Sequence, residues 1–242
     1  MKNKKIALVT GGNKGIGFGL AEKLAQNNYT VWIGCRNTKL GLKAENDLRA
    51  KDLDVLFVEL DVTNQKTIDA AVKTVTAKSE KLDLLVNNAG IFTMATDGSV
   101  SKVKIESFVE TFDVNVLGVV RVTQAFLPLV KKSDAGKIFN VSSGLGSMSL
   151  LLDPAMGFAN NPVAAYSASK AALNAITAIL SNELKESKVM VNSICPGYTA
   201  TDLNSHSGPQ SVDDSVKGLW EDISKDEFRT GHFIKKGGEH PW

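Results

Sequence analysis

The chain has 242 residues, 43% of them hydrophobic, enough to bury a sizeable core in one large domain or two small ones. That composition excludes both an intrinsically disordered chain and a disulfide-stapled miniprotein. Its 28 basic and 26 acidic side chains leave a formal charge of +2, which points to neither nucleic acid nor an anionic membrane as partner and makes a small-molecule site the default expectation.

In chain order, short apolar and β-branched runs alternate with stretches of helical periodicity. Strands are predicted at 6–9, 31–33, 55–58, 82–86, 137–141 and 189–194, with a seventh at 232–234. Helices are predicted at 19–27, 40–51, 67–79, 105–131 and 166–186. Apolar runs without polar alternation imply strands covered on both faces. The expected fold is therefore α/β: a Rossmann-type, doubly wound parallel sheet of about seven strands in a three-layer α/β/α sandwich, with ligands at the carboxyl ends of the strands. Two segments, 144–165 and 201–224, are read as substrate loops, because long irregular segments in a compact domain usually carry function. The apolar run at 6–9 is too short for a signal-peptide core, and no stretch reads as the roughly 18 apolar residues of a membrane span. Cys35 and Cys195 stand alone, which suits a reducing compartment, and the expected location is cytoplasmic. His206, His232 and His240 lack metal-ligand spacing, so no metal site is expected.

Directly after the first strand comes Thr10-Gly11-Gly12-Asn13-Lys14-Gly15-Ile16-Gly17, followed at once by a helical pattern. Glycines let the backbone turn sharply and approach a pyrophosphate, whose charge then faces the free amides of a helix amino terminus. The second strand ends Gly34-Cys35-Arg36-Asn37, without the acid that would accept hydrogen bonds from a ribose 2′-hydroxyl. Arg36 lies 19 positions after Gly17 (36 − 17), where that discriminating residue belongs, and Lys14 adds a second cation in the glycine loop. A planar fork and a point charge together fit a phosphate, so NADP(H) is expected rather than NAD(H).

The strongest chemical signal is Tyr166-Ser167-Ala168-Ser169-Lys170 at the start of a helix. A separation of four puts the phenol and the ammonium on one face. Delivery of a hydride to a carbonyl needs a proton for the oxygen, and a tyrosine whose pKa falls toward the working pH supplies one. Ser142-Ser143 ends the fifth strand, where a hydroxyl can hydrogen-bond an oxygen as charge develops on it.

The spacing Thr-Gly-x-x-x-Gly-x-Gly, followed by Asn87-Asn88-Ala89-Gly90, Ser143, Tyr166-x-x-x-Lys170 and Pro196-Gly197, resembles the classical short-chain dehydrogenase/reductase family over residues 6 to about 202. The resemblance implies Asn115, Ser143, Tyr166 and Lys170 as catalytic residues, with Ser142 a structural neighbour. It implies Gly11, Asn13, Lys14, Gly15, Ile16, Gly17 and Arg36 as cofactor-binding. Asp61 and Val62 would lie at the adenine, Asn88, Ala89 and Gly90 would line the cofactor site, and Pro196, Gly197, Thr199 and Thr201 would hold the nicotinamide carboxamide. Asn115 is implied to bend its helix and to hold a water that passes protons to the lysine. The motifs use one sheet, so residues 1–242 are read as a single domain.

Ser143 and Tyr166 lie 23 positions apart (166 − 143), more than in many family members. With Asn13-Lys14 and Arg36, this spacing is similar to the carbonyl-reductase branch, which reduces aldehydes, ketones and quinones. Met148, Leu150 to Leu152, Met156 and Phe158 would form an apolar wall for a bulky substrate or simply pack the loop, and Trp220 would close a lid or anchor one. The main reading is an NADPH-dependent carbonyl reductase. The alternatives are an NADP-dependent alcohol or hydroxysteroid-type dehydrogenase working oxidatively and, more remotely, a nucleotide-sensing regulator without turnover. Apolar residues around most of helix 166–186, including Ile176, Ile179 and Leu180, suggest burial by another subunit, hence a homodimer or homotetramer.

Overall fold

A computed structural model describes residues 4–160 and 162–242. Seven parallel strands form the sheet: β1 (Lys5–Thr10), β2 (Tyr29–Cys35), β3 (Val55–Glu59), β4 (Leu84–Asn87), β5 (Lys137–Val141), β6 (Met190–Cys195) and β7 (Phe233–Lys235). A two-residue strand, β8 (Gly238–Glu239), adds an antiparallel edge, so the order is β3-β2-β1-β4-β5-β6-β7-β8. The expectation of about seven strands lacked β8, which is too short to leave a periodic signal. The order reverses between β1 and β4, and the crevice outside their carboxyl ends is where such sheets bind ligands.

Helices cover both faces. On one side lie α1 (Gly15–Gln26), α2 (Thr38–Arg49) and α8 (Val212–Ile223); α3 (Gln65–Thr76), α5 (Gly118–Val130) and α7 (Ala164–Glu183) cover the other. Strand β1 shows why the sequence reads as an unbroken apolar run. Ala7 and Val9 pack with Leu20, Leu24 and Leu219 on one face, while Leu8 packs with Ile68, Val122 and Phe126 on the other. Each large side chain removed from water in this way contributes roughly 1.5–3 kcal/mol.

The segment 201–224 is not all substrate loop. Val212, Val216, Leu219 and Ile223 recur at helical spacing on α8, Ser211 accepts a hydrogen bond from the Asp214 amide at its start, and α8 packs on α1. Trp220 meets Tyr29 edge-on at 6.5 Å and so anchors the core rather than closing a lid. Within 144–165 the chain forms a helix, α6 (Met148–Leu152), and several single 3₁₀ turns. Pro241 O accepts from the Ser147 hydroxyl and Trp242 O from Ser149, so the last residues fasten this segment.

The helix predicted at 105–131 is interrupted. It runs as α4 (Ile105–Phe112), a π-helical stretch at Asp113–Leu117, and α5. Taken as one, Ile105–Val130 has the length and hydropathy of a membrane span, which corrects the reading that no stretch approaches one; half of that apolar window is buried inside the protein, as in a core helix.

A polar column ties the sheet to α7. Parallel pairing sets Asn87 opposite Asn140; Asn87 Nδ2 donates to Asn140 Oδ1 at 2.8 Å, and Asn140 Nδ2 donates to Thr177 Oγ1 at 2.9 Å. Buried amides linked in this way fix one register and one helix position, although Asn87 Oδ1 itself has no partner among the described residues.

Candidate active site

At the carboxyl ends of the strands opens a cleft of about 740 Å³. It is lined by Gly11, Asn13, Lys14, Gly15, Ile16 and Gly17 after β1, Arg36 after β2, Asp61 and Val62 after β3, Asn88, Ala89 and Gly90 after β4, Tyr166 and Lys170 on α7, and Pro196 and Thr201 after β6. Asn115, Ser143, Gly197 and Thr199 are not part of this lining, whereas Ser142 is. The lining also includes Cys35, Leu60, Ile91, Phe92, Val114, Val141, Ala200, Asp202, Leu203, His206 and Val212, which belong to none of the motifs and reach the cleft only because the fold brings the loops together.

The glycine loop fits a dinucleotide. Gly11 and Gly15 have φ of +65° and +54°, which side chains other than glycine rarely adopt, and a Cβ on Gly17 would come within 2.5 Å of the Gly11 carbonyl oxygen. Lys14, at the N-cap of α1, offers no side-chain acceptor to the helix, so the first amides of α1 keep their partial positive charge for an anion. The loop is held from β4: Asn88 Nδ2 donates to Thr10 O at 2.9 Å, and Thr10 Oγ1 accepts from the Asn88 and Ala89 amides at 3.0 Å each. Asp61 Oδ1 accepts from the Thr63 amide and hydroxyl, which sets the turn below the cleft rim.

The two cations differ. Lys14 Nζ donates to Asp202 Oδ2 at 2.8 Å, an exposed pair of the kind that contributes little and exchanges readily, and Asp202 also contacts His206. Among the described residues Arg36 forms no ion pair, so its guanidinium is free for an anionic group in the cleft.

At the inner end, Lys170 Nζ donates to the Val141 carbonyl at 2.8 Å and lies 5.6 Å from the centre of the Tyr166 ring. Ser142 Oγ is committed to Asn174 Oδ1 at 2.7 Å and is buried, whereas the Ser143 hydroxyl accepts from the Leu145 amide at 3.2 Å and stands near enough to the Tyr166 phenol to favour its ionised form. Burial pushes the phenol pKa up from its ordinary value; the neighbouring Cys195 adds to this, and the nearby Ser143 hydroxyl opposes it. The expected fall toward neutral pH is therefore not found in the free protein, because desolvation disfavours the phenolate. The same burial lowers Lys170 to about 8, against a smaller opposing effect of Cys195.

Asn115 sits in the π-helical stretch and is 1% exposed. Its Oδ1 accepts from the Ile91 amide at 2.8 Å, and its Nδ2 donates to Ile91 O at 3.0 Å and to Ser169 Oγ at 3.1 Å. After β6, Thr199 is turned inward, its hydroxyl paired with Ser215 and its carbonyl accepting from Asn204 Nδ2. Thr201 O accepts from the Asn204 amide at 3.2 Å and Asn204 Oδ1 accepts from the Thr201 amide at 3.1 Å, a reciprocal turn that holds Thr201 at the cleft. Among the described residues none of Met148, Leu150, Leu151, Leu152, Met156 or Phe158 lines the cleft; Met148, Leu152 and Met156 are exposed.

Residues 5–211 match the family model described as short chain dehydrogenase. Over 286 aligned residues the chain is 32% identical to (-)-isopiperitenone reductase of Mentha piperita, covering 88% of this chain and 90% of that protein. It is 36% identical over 212 residues to cyclopentanol dehydrogenase of Comamonas sp., covering 87% and 80%. The NADPH-bound carbonyl reductase from chicken fatty liver superposes with a TM-score of 0.87 at 30% identity, over 99% of this chain and 100% of that one. Strand order, glycine loop and the Tyr166/Lys170 pair are thus accompanied by similarity along nearly the whole length, and the chain belongs to the short-chain dehydrogenase family.

Proposed function

We propose that the chain is an NADPH-dependent reductase of carbonyl compounds: aldehydes, ketones or quinones. What supports this reading most is the meeting of the Tyr166 phenol, the Ser143 hydroxyl and the Lys170 ammonium at the inner end of a glycine-floored cleft whose rim carries Lys14 and Arg36. The similarity to an isopiperitenone reductase and to an NADPH-bound carbonyl reductase points the same way.

NADPH, when bound, supplies a hydride to the carbonyl carbon. The chain's own residues manage the oxygen. Ser143 donates a hydrogen bond to it, and Tyr166 delivers the proton as negative charge develops. Burial keeps the phenol protonated through neutral pH, the form a donor needs. The Lys170 ammonium over the ring offsets the charge left on the phenolate. Asn115 acts through Ser169 and Ile91 to hold this arrangement, and a water beside it would reload the lysine. Gly11, Asn13, Gly15, Ile16 and Gly17 cradle the pyrophosphate, and Lys14 and Arg36 take the 2′-phosphate. Asp61 and Val62 would lie at the adenine, Asn88, Ala89 and Gly90 would line the cofactor site, and Pro196, Gly197, Thr199 and Thr201 would hold the nicotinamide carboxamide.

The protein would act on residues 1–242 as one domain, in the cytoplasm, where its buried free thiols Cys35 and Cys195 stay reduced. A homodimer or homotetramer would cover Ile105 and Val109 on α4, Leu117, and Ile179 on α7, which are 69%, 65%, 49% and 66% exposed. Neither nucleic acid nor membrane is part of this reading.

The test is NADPH oxidation against a panel of aldehydes, α-dicarbonyls, quinones and cyclic ketones, with NADH as control, for the wild type and for Tyr166→Phe. Turnover of one carbonyl class with NADPH is expected, with kcat of Tyr166→Phe below about a tenth and NADPH affinity retained. A Tyr166→Phe protein keeping more than about a tenth of kcat would overturn the assignment, as would a wild type that oxidises alcohols but reduces no carbonyl.

A further inference from the structure

Helix α7 begins without a cap of its own. Its N-cap position is Val163, whose side chain offers no acceptor, although Tyr166 sits in the first turn, where unpaired amides need one. The acceptors come from 68 and 69 residues away: Asp97 Oδ1 takes the Ala165 amide at 3.0 Å, and Asp97 Oδ2 takes the Tyr166 amide at 2.9 Å. Next to it, Gly98 O accepts the Ala164 amide at 2.9 Å, and Asp97 Oδ1 also accepts the Gly98 amide at 2.8 Å, which locks the carboxylate's orientation.

The other peptide group of Tyr166 leads back to the same segment. Its carbonyl accepts from Ser169 Oγ at 2.7 Å, Ser169 Oγ accepts from Asn115 Nδ2, and Asn115 holds both the amide and the carbonyl of Ile91. The ring of Tyr166 packs on Phe92 with centroids 5.2 Å apart. Residues 91–98 thus grip the tyrosine at its amide and its ring, and reach its carbonyl through Asn115 and Ser169.

We infer that Asp97 is a positioning residue for the proton donor: its carboxylate sets the height and rotation of the first turn of α7, and so the place of the Tyr166 phenol against Ser143. Capping by a carboxylate also complements the helix dipole, but a cap that served stability alone could be supplied locally at position 163. A cap delivered from the segment that also carries Phe92 couples the tyrosine to a wall of the cleft instead. Because misplacement by about an ångström costs on the order of 100-fold in rate, this constraint acts on kcat.

The inference rests on Tyr166 as proton donor. The experiment compares Asp97→Asn, which loses one accepting oxygen and turns an N–H toward a backbone amide, with Asp97→Glu, which keeps two accepting oxygens on a longer arm. For each, NADPH sites per chain and Kd are measured by titration, and kcat per NADPH site and substrate KM by steady-state kinetics. Asp97→Asn is expected to lower kcat per site about tenfold or more, with NADPH Kd and KM within about twofold of wild type, and Asp97→Glu to recover part of the loss. A kcat within twofold of wild type for Asp97→Asn overturns the inference. So does a loss that disappears when rates are expressed per NADPH site, since that marks a cap needed only for folding; if Asp97→Asn is insoluble, Asp97→Glu is judged by the same measure. An active Asp97→Asn beside an inactive Tyr166→Phe removes Asp97 alone, whereas an active Tyr166→Phe removes the proton-donor reading itself.

Discussion

Gly146→Ala isolates how closely the serine-bearing turn must approach the tyrosine-bearing helix. Gly146 is buried in the 3₁₀ turn that follows Ser143, its amide donates to Ser143 O at 2.8 Å, and its carbonyl accepts from Asn174 Nδ2 on α7. A Cβ at this position would lie 2.7 Å from the carbonyl carbon of Lys170, 2.8 Å from its Cβ and 2.9 Å from its oxygen. Ordinary contact starts at 3.4 Å, so turn and helix must part by 0.5–0.7 Å (3.4 − 2.9 and 3.4 − 2.7), and backbone atoms cannot swing aside. Overpacking of this kind costs about 1–3 kcal/mol, which in a chain of this size lowers Tm by about 2–12 °C. The same movement separates Ser143 from Tyr166, and a displacement of this order is worth roughly 10- to 100-fold in kcat. Calorimetry and steady-state NADPH oxidation measure the two effects, with Gly238→Ala as a control, because a Cβ there meets nothing within 4 Å. A Gly146→Ala protein whose Tm and kcat match those of Gly238→Ala would refute the packing argument.

Three further outcomes are expected. The Lys170 ammonium, held near about 8 by burial, is charged through neutral pH, so kcat/KM for reduction should stay level up to about pH 8 and fall above it. Stability should move the other way: between about 8 and 10.5 the unfolded chain binds the proton that the folded chain has lost, so the Lys170 contribution raises unfolding free energy with pH across that window, and the burial cost is fully present below it. A reductive profile that rises through pH 8–9 would contradict the assignment. Arg36→Asp should lower the NADPH/NADH ratio of kcat/KM by roughly tenfold or more, the worth of a charge-assisted contact to phosphate, while an unchanged ratio in paired kinetic assays would exclude Arg36 from the 2′-phosphate site.

The layers of the fold were legible because β1, β4, β5 and β6 are buried on both faces and read as apolar runs. The pair Tyr166 and Lys170 was legible because four residues make one helical turn. Helix α8 was missed although its signals were present: Ser211 with Asp214 three residues on, then Val212, Val216, Leu219 and Ile223 at helical spacing. The polar run before it, with Gly208-Pro209, made the stretch read as a loop. Asp97 could not have been found in this way. Its partners are 68 and 69 positions distant, and nothing local distinguishes a carboxylate that caps a remote helix from one that faces water. For the apolar residues of 148–158 composition left two readings, a substrate wall or packing of the loop, and none of those named lines the cleft among the described residues.

The raised phenol pKa changes what the site must supply. In reduction the proton goes to an oxygen that is becoming an alkoxide, a much stronger base than a phenolate, so the donor has no need of a pKa near neutrality; it needs to be protonated and correctly placed. Burial secures the first condition. The second is met by Asp97 on the Tyr166 amide, Ser169 and Asn115 on its carbonyl, Phe92 on its ring and the close turn at Gly146. Oxidation of an alcohol would instead require the phenolate at the outset, in a pocket whose desolvation opposes it and beside an ammonium that is itself close to losing its charge. The free enzyme therefore holds its donor in the protonated form from which reduction starts, with the Lys170 ammonium still charged at neutral pH to offset the phenolate that proton delivery leaves behind.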